Sequence, residues 1–237
     1  MRRMALVAAL ALVPGAALAD DVDLDIQPGA TQDDFHDVAK DLAGVLNYKS
    51  VSPAESTGIA GFSIGVVGTW LSTDDDSSWT QLTGEDVDGV PMIGLNVQKG
   101  LPFGIDIGAS YSAVPSSDVN LIGAEVRWAM LEGGVATPAI AIRGTYSALS
   151  GVDDVDFDAY GTDISISKGF GPVTPYAGVG YQWSTFEADE EFGLEDEKPD
   201  GSRVFIGLRL TALIGFTPEY ERVDGRDVYN LRIGFAF

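Results

Sequence analysis

Cysteine is absent from the 237 residues, and histidine occurs once, at position 36. There is therefore no disulfide framework, no thiol nucleophile and no thiolate metal site. No zinc-ligand spacing, glycine-rich phosphate loop or nucleotide fingerprint appears, and no cofactor is expected. Basic residues are scarce: 14 Lys and Arg stand against 36 Asp and Glu, a formal charge of −22. Such a surface repels nucleic acid and favours cations, basic partners or simple solvation. Long hydrophobic runs are also missing. Beyond the first 20 residues no stretch approaches the ~20 continuous apolar residues of a membrane-crossing helix.

The N-terminus carries what those absences leave room for. Met1-Arg2-Arg3-Met4 is a basic start, Ala5 to Val13 is a short apolar core, and Ala17-Leu18-Ala19 is a small-residue cleavage site. Residues 1–19 read as a signal peptide, with Asp20 opening the mature chain. Removing Arg2 and Arg3 takes the charge from −22 to −24.

Residues 20–57 form a second unit, read as a helical plug or cap with its linker. Between Asp33 and Tyr48 the apolar residues Phe35, Val38, Leu42, Val45 and Leu46 recur at helical spacing. Thr31 is the candidate N-cap, and Asp33 and Asp34 sit where the helix dipole favours acids. Ser52-Pro53-Ala54-Glu55-Ser56 breaks the pattern. The helix has three readings: a plug in a barrel, a cap on its periplasmic mouth, or a helix lying on the inner leaflet. Its acidic polar face disfavours the last, because membrane-surface helices are basic.

From Gly58 the period changes to two. Segments of about ten residues with alternating hydrophobicity follow, near 58–70, 89–99, 103–113, 118–130, 137–148, 158–168, 174–186, 202–212, 214–222 and 227–237. This is the pattern of an all-β, antiparallel transmembrane barrel over residues 58–237, with about ten strands, eight being the other possibility. The connections alternate between short, nearly uncharged turns and longer acidic loops, such as Ser72–Asp88, Ser150–Asp158 and Glu187–Gly201. That parity fits periplasmic turns and extracellular loops, and it places both termini in the periplasm. Candidate interfacial aromatics are Trp70, Tyr111, Trp128, Tyr146, Tyr160, Tyr176, Trp183, Phe216, Tyr220 and Tyr229.

The last strand sets Tyr229, Leu231, Ile233, Phe235 and Phe237 on one face. This apolar, aromatic-tipped terminus resembles the signal by which barrel-assembly machinery recognises outer-membrane proteins. The run Ser167-Lys168-Gly169-Phe170-Gly171-Pro172-Val173-Thr174-Pro175-Tyr176-Ala177-Gly178-Val179-Gly180-Tyr181 resembles the Pro-Tyr-x-Gly-x-Gly opening of strands in small Gram-negative outer-membrane barrels of the OmpW and OmpA types. The resemblance implies a cell-outer-membrane location, contact with lipid and lipopolysaccharide, and a porin-like architecture. It specifies architecture rather than activity, and the N-terminal helix and ten-strand count depart from the eight strands usual in those families.

Inward-facing positions carry Asp106, Glu125, Arg127, Arg143, Asp163, Arg209, Glu219, Glu221 and Arg232, of mixed sign. Charges confined in a narrow lumen are costly unless paired, so a paired lumen network is expected. In size and strand count the chain also resembles the omptin proteases, which use an Asp/His pair at the outer rim. His36, placed by parity on the periplasmic side, would not reach that rim, and no enzyme activity is expected. Asp74, Asp75, Asp76, Asp153 and Asp154 are weak candidates for divalent cations and match no EF-hand spacing. The expected role is structural, or narrow transport of small solutes through a filled lumen. The alternative is surface interaction or cation binding through the acidic loops.

Overall fold

Ten antiparallel strands close on themselves in the computed structural model. It describes residues 26–237 except 74–75, 85–86, 88, 116, 118, 152–154 and 190–191. The strands are β1 (Phe62–Ser72), β2 (Gly89–Gly100), β3 (Ile105–Ala113), β4 (Asn120–Glu132), β5 (Ala139–Ser150), β6 (Val155–Ser167), β7 (Val173–Ala188), β8 (Gly201–Thr211), β9 (Gly215–Val223) and β10 (Arg226–Ala236). Each pairs with its neighbour in the chain, and β10 returns to β1 from Ser63↔Ala236 to Leu71↔Val228. Phe62 and Phe237 complete this seam by exchanging backbone hydrogen bonds of 3.0 and 2.8 Å. Closure leaves no unpaired edge. The first strand begins at Phe62 rather than Gly58, because a turn precedes it: Gly58 has φ +77° and its carbonyl accepts from the Gly61 N–H at 2.8 Å. The signal peptide expected over residues 1–19 lies outside the described residues.

The barrel is apolar outside and polar inside. Val126 and Ile206 are 56% and 60% exposed, and Leu95, Ile122, Val179 and Val204 share that outer face. Asp106, Glu125, Arg127, Arg143 and Glu221 are buried within the wall. An apolar surface of this extent is unsuited to water and needs hydrocarbon around it.

The two mouths differ. One is closed by compact turns, between β2 and β3, β4 and β5, β6 and β7, and β8 and β9. The other carries the longer acidic segments. It also carries one tight hairpin, Asp224-Gly225, in which both residues have positive φ (46° and 89°), as a two-residue turn of the I′ kind demands. The β1–β2 connection is not a plain loop: it folds into a short helix, α2 (Asp76–Thr83).

Helix α1 (Gln32–Val45) begins at Thr31, where a capping box is complete: the Thr31 hydroxyl accepts from the Asp34 N–H, and the Asp34 carboxylate accepts from the Thr31 N–H. The helix stops at Val45, and residues 46–48 leave the helical path. Phe35, Val38, Leu42, Val45 and Leu46 are all buried in one apolar cluster. That cluster also holds Leu71, Val90, Val155, Phe157, Phe186 and Val228 from the strands, and Trp79 and Leu82 from α2. The strand members lie at the loop-side ends, so α1 sits inside the loop mouth. Burying five such side chains contributes on the order of 10 kcal/mol before the cost of ordering the segment.

This corrects the topology expected from loop parity. Residues 26–30 lie at the loop mouth, where the Gln27 N–H donates to the Leu82 carbonyl at 2.8 Å. Phe237 lies at the turn mouth beside Phe62. The first and last described residues are therefore at opposite ends. Parity counted strands alone and could not register one extra crossing through the lumen.

Candidate functional site

The segment 46–57 descends through the barrel from α1 to the turn mouth and is bonded to the wall along its length. Its course begins at the C-terminal end of α1, where unpaired carbonyls would otherwise face the interior. The Gln182 amide donates to the Ala43 carbonyl at 2.8 Å, and Asn47 and Lys49 donate to the Gly44 carbonyl, each at 2.9 Å. The Lys49 ammonium also favours this negative pole of the helix dipole. Its other partner is Glu221 at 2.8 Å.

Below Lys49, Tyr48 lies against the wall where two glycines make room for it. A Cβ at Gly108 would come within 2.7 Å of the Tyr48 hydroxyl, and one at Gly123 within 2.7 Å of its ring. The Asn96 amide donates to the Tyr48 oxygen at 2.9 Å. Further down, Gln98 donates to the Ser50 hydroxyl at 3.1 Å, and Arg127 donates to Ser52 and to the Pro53 carbonyl at 2.8 and 2.9 Å. The Ala54 N–H donates to Ser167 at 3.1 Å. Thr57 donates to Asp106 through its N–H, at 3.0 Å, and through its hydroxyl.

The charged wall residues form one isolated pair and one connected network. Arg127 pairs with Asp106 at 2.7 Å. Arg143 pairs with Asp163 at 2.8 Å and approaches Glu125 at 3.8 Å. Arg203 links Asp163, at 3.4 Å, to Glu221, which Lys49 also holds. Asn230 donates to both Glu219 and Glu221, at 3.1 and 3.0 Å, and the Tyr176 hydroxyl donates to Glu219 at 2.7 Å. Phe205 lies under both guanidinium groups, with Arg143 5.5 Å and Arg203 5.2 Å from its ring centre. Arg209 and Arg232 face inward but join none of these pairs among the described residues.

Of the sequence-predicted lumen residues, Asp106, Glu125, Arg127, Arg143, Asp163 and Glu221 are brought together by these contacts. Glu219 is held by neutral partners. Arg203, Lys49, Tyr48 and Tyr176 were not anticipated as lumen residues. Tyr176 was expected at the membrane interface and is instead buried in the lumen. The signal was present: Val179, Tyr181 and Trp183 face outward, so an even-numbered residue of the same strand faces inward. The same alternation places Arg203 with Arg209. Lys49 and Tyr48 had no strand period to betray them.

His36 also needs correction. Its Nδ1 lies 2.7 Å from Glu197 Oε2 in the β7–β8 segment, at the loop mouth rather than the turn mouth where strand parity put it. The Gln32 amide contacts the same segment, donating to the Glu195 carbonyl at 3.0 Å. Of the weak cation candidates, Asp74, Asp75, Asp153 and Asp154 lie outside the described residues, and Asp76 opens α2. Among the described residues no three His, Asp or Glu side chains gather as a metal site. Tyr229, Phe235 and Phe237 are exposed on the outer face of β10, and Leu231 and Ile233 are half-buried there.

A closed antiparallel barrel with a lipid-facing exterior, a charged interior and unequal mouths is a small outer-membrane β-barrel protein. No family model and no curated protein matches the chain. Among solved structures it is similar to the N-terminal β-barrel domain of Pseudomonas aeruginosa OprF, with 12% identity over 76% of this chain and 99% of that one (TM-score 0.36). It is also similar to Pseudomonas aeruginosa OprG, with 13% identity over 77% and 99% (TM-score 0.36). Salmonella typhimurium LpxR gives 9% identity over 74% and 99% (TM-score 0.41). The architecture rests on the chain's own register and burial.

Proposed function

We propose that this chain is a closed outer-membrane barrel of structural role, occluded by its own N-terminal segment, which conducts small solutes only when residues 46–57 leave the lumen. The observation that carries the reading is the threaded segment: Lys49, Ser50, Ser52, Ala54 and Thr57 each bond to wall residues. A static open pore has no use for such bonding. The turn mouth is assigned to the periplasm and the loop mouth to the exterior, following the usual asymmetry of bacterial barrels. Lipid and lipopolysaccharide cover the apolar belt, and barrel-assembly machinery reads the β10 terminus. The charge pairs hold a plug rather than perform chemistry, so the reading is non-enzymatic.

Planar-bilayer recording tests it. The full mature chain is expected to pass almost no current, and a chain lacking residues 20–57 to give stable steps. Equal conductance from both would refute the plug.

A second reading rests on the join between α1 and the β7–β8 segment at Glu195 and Glu197, which gives the loop mouth a built, acidic surface. Such a surface suits a basic partner or divalent cations. Calcium-dependent melting with and without chelator would separate this reading from simple solvation.

A further inference from the structure

Two arginines near the turn mouth are left out of the pairing that satisfies the rest of the lumen. Arg232 is 3% exposed, yet its Nε has no hydrogen-bond partner. One of its terminal nitrogens donates to Ser63 at 2.7 Å. Its guanidinium lies flat on Gly65, where a Cβ would come within 2.9 Å of it. Arg209 faces inward from β8 and forms no hydrogen bond or ion pair among the described residues.

The register places the two in one row across the wall. Thr174 of β7 pairs with Arg209 of β8, and Arg232 of β10 pairs with Thr217 of β9. The β8–β9 ladder, with Gly207↔Glu219 and Leu210↔Phe216, sets Arg209 opposite Thr217. Two strand spacings separate the arginine backbones by ~10 Å; the Arg232 head now rests over β1 on Ser63 and Gly65, and it reaches an anion shared with Arg209 by turning back across β10 toward Thr217. Both intervening or flanking residues are hydroxylic and buried. No carboxylate is bonded to either arginine among the described residues. Glu125 is held by the Gln98 amide at 2.6 Å and approached by Arg143 at 3.8 Å, and Glu55 of the threaded segment pairs with neither arginine among the described residues. Arg127 lies close by but is committed to Asp106.

A buried guanidinium with an unmade hydrogen bond costs free energy, and two near each other also repel. An anion with several acceptor oxygens removes both penalties, since the planar fork of arginine matches phosphate and carboxylate geometry. We propose that Arg209 and Arg232, with Thr217 between them, form a binding site for a small free oxyanion, of phosphate or carboxylate type, entering from the turn mouth. The site goes beyond the plugged-barrel reading and does not depend on which mouth faces the periplasm.

Inorganic phosphate is the probe. The folded mature chain in maltoside micelles, which carry no phosphate headgroup, is titrated against a chloride control of equal ionic strength. Melting is followed by heat-modifiable migration. A rise in Tm on the order of 3 °C is expected near tenfold excess over Kd. Arg209→Gln and Arg232→Gln should each abolish most of that shift. Arg222→Gln, at the opposite mouth, should leave it unchanged. Because Arg232→Gln could fail to fold, the wild-type titration and the more accessible Arg209→Gln variant stand as tests by themselves. No phosphate-specific shift in the wild type, or a full shift in Arg209→Gln, would overturn the site. A shift obtained only after adding phosphatidylglycerol would assign the effect to a lipid headgroup and likewise overturn it.

Discussion

Tyr48 offers a graded way to unseat the plug without touching the barrel wall. The side chain is 1% exposed, its ring occupies the space left by Gly123, and its hydroxyl takes the Asn96 amide hydrogen at 2.9 Å. Tyr48→Phe deletes only the hydroxyl and strands the Asn96 donor, a loss of about 1 kcal/mol. Tyr48→Ala also removes the ring from a packed site, for which aromatic-to-alanine changes cost roughly 3 kcal/mol at the lower end. The barrel's backbone ladder is untouched by either, so the loss falls on the equilibrium between seated and displaced segment. One kcal/mol multiplies the displaced fraction about 5-fold and three about 150-fold, taking ~1.4 kcal/mol per factor of ten. In planar bilayers the fraction of time spent conducting should therefore rise in the order wild type, Tyr48→Phe, Tyr48→Ala, with step size unchanged. If Tyr48→Ala recorded as quietly as the wild type, or if the phenylalanine variant opened more than the alanine variant, the seating argument would be wrong.

Two further outcomes bear on topology and charge. An epitope inserted at Gly29, an exposed turn residue with φ +105° ahead of α1, should be labelled on intact cells; labelling only after the outer membrane is permeabilised would turn the loop mouth to the periplasm. Arg127→Met strands Asp106 as an uncompensated charge and should lower unfolding stability in urea by about 3–5 kcal/mol, whereas Arg127→Met with Asp106→Leu should recover most of the loss; an unrescued double variant would count against a paired network.

The barrel was legible because period-two alternation is a local signal repeated ten times, and each strand registers it independently. Strand limits fell within one or two residues at most turns bearing Gly or Pro, as at Lys99-Gly100-Leu101-Pro102. They slipped at Gly58, where glycines forming a turn resemble the small inward residues of a strand. The inward charges were readable for the same reason as the strands. Their pairings were not, because alternation sets which face a residue takes but not the register that puts Arg143 opposite Asp163 in the β5–β6 ladder. The destination of α1 was illegible in kind: an amphipathic helix announces a face to be buried, but not which end of which cavity buries it. From that one omission came the misplacement of His36 and the absence of Lys49 from the expected network. Helix α2 escaped notice because eight residues of mixed polarity give too few turns for a period to emerge.

The passage of residues 46–57 down the lumen also bears on biogenesis. The wall is sealed along the β1–β10 ladder, so the segment passes only through a mouth. Leu71 and Val228, paired across that seam, also line the pocket for α1. The side chains that zip the last strand onto the first are thus also those that α1 rests on, so closing the wall finishes the socket for the helix.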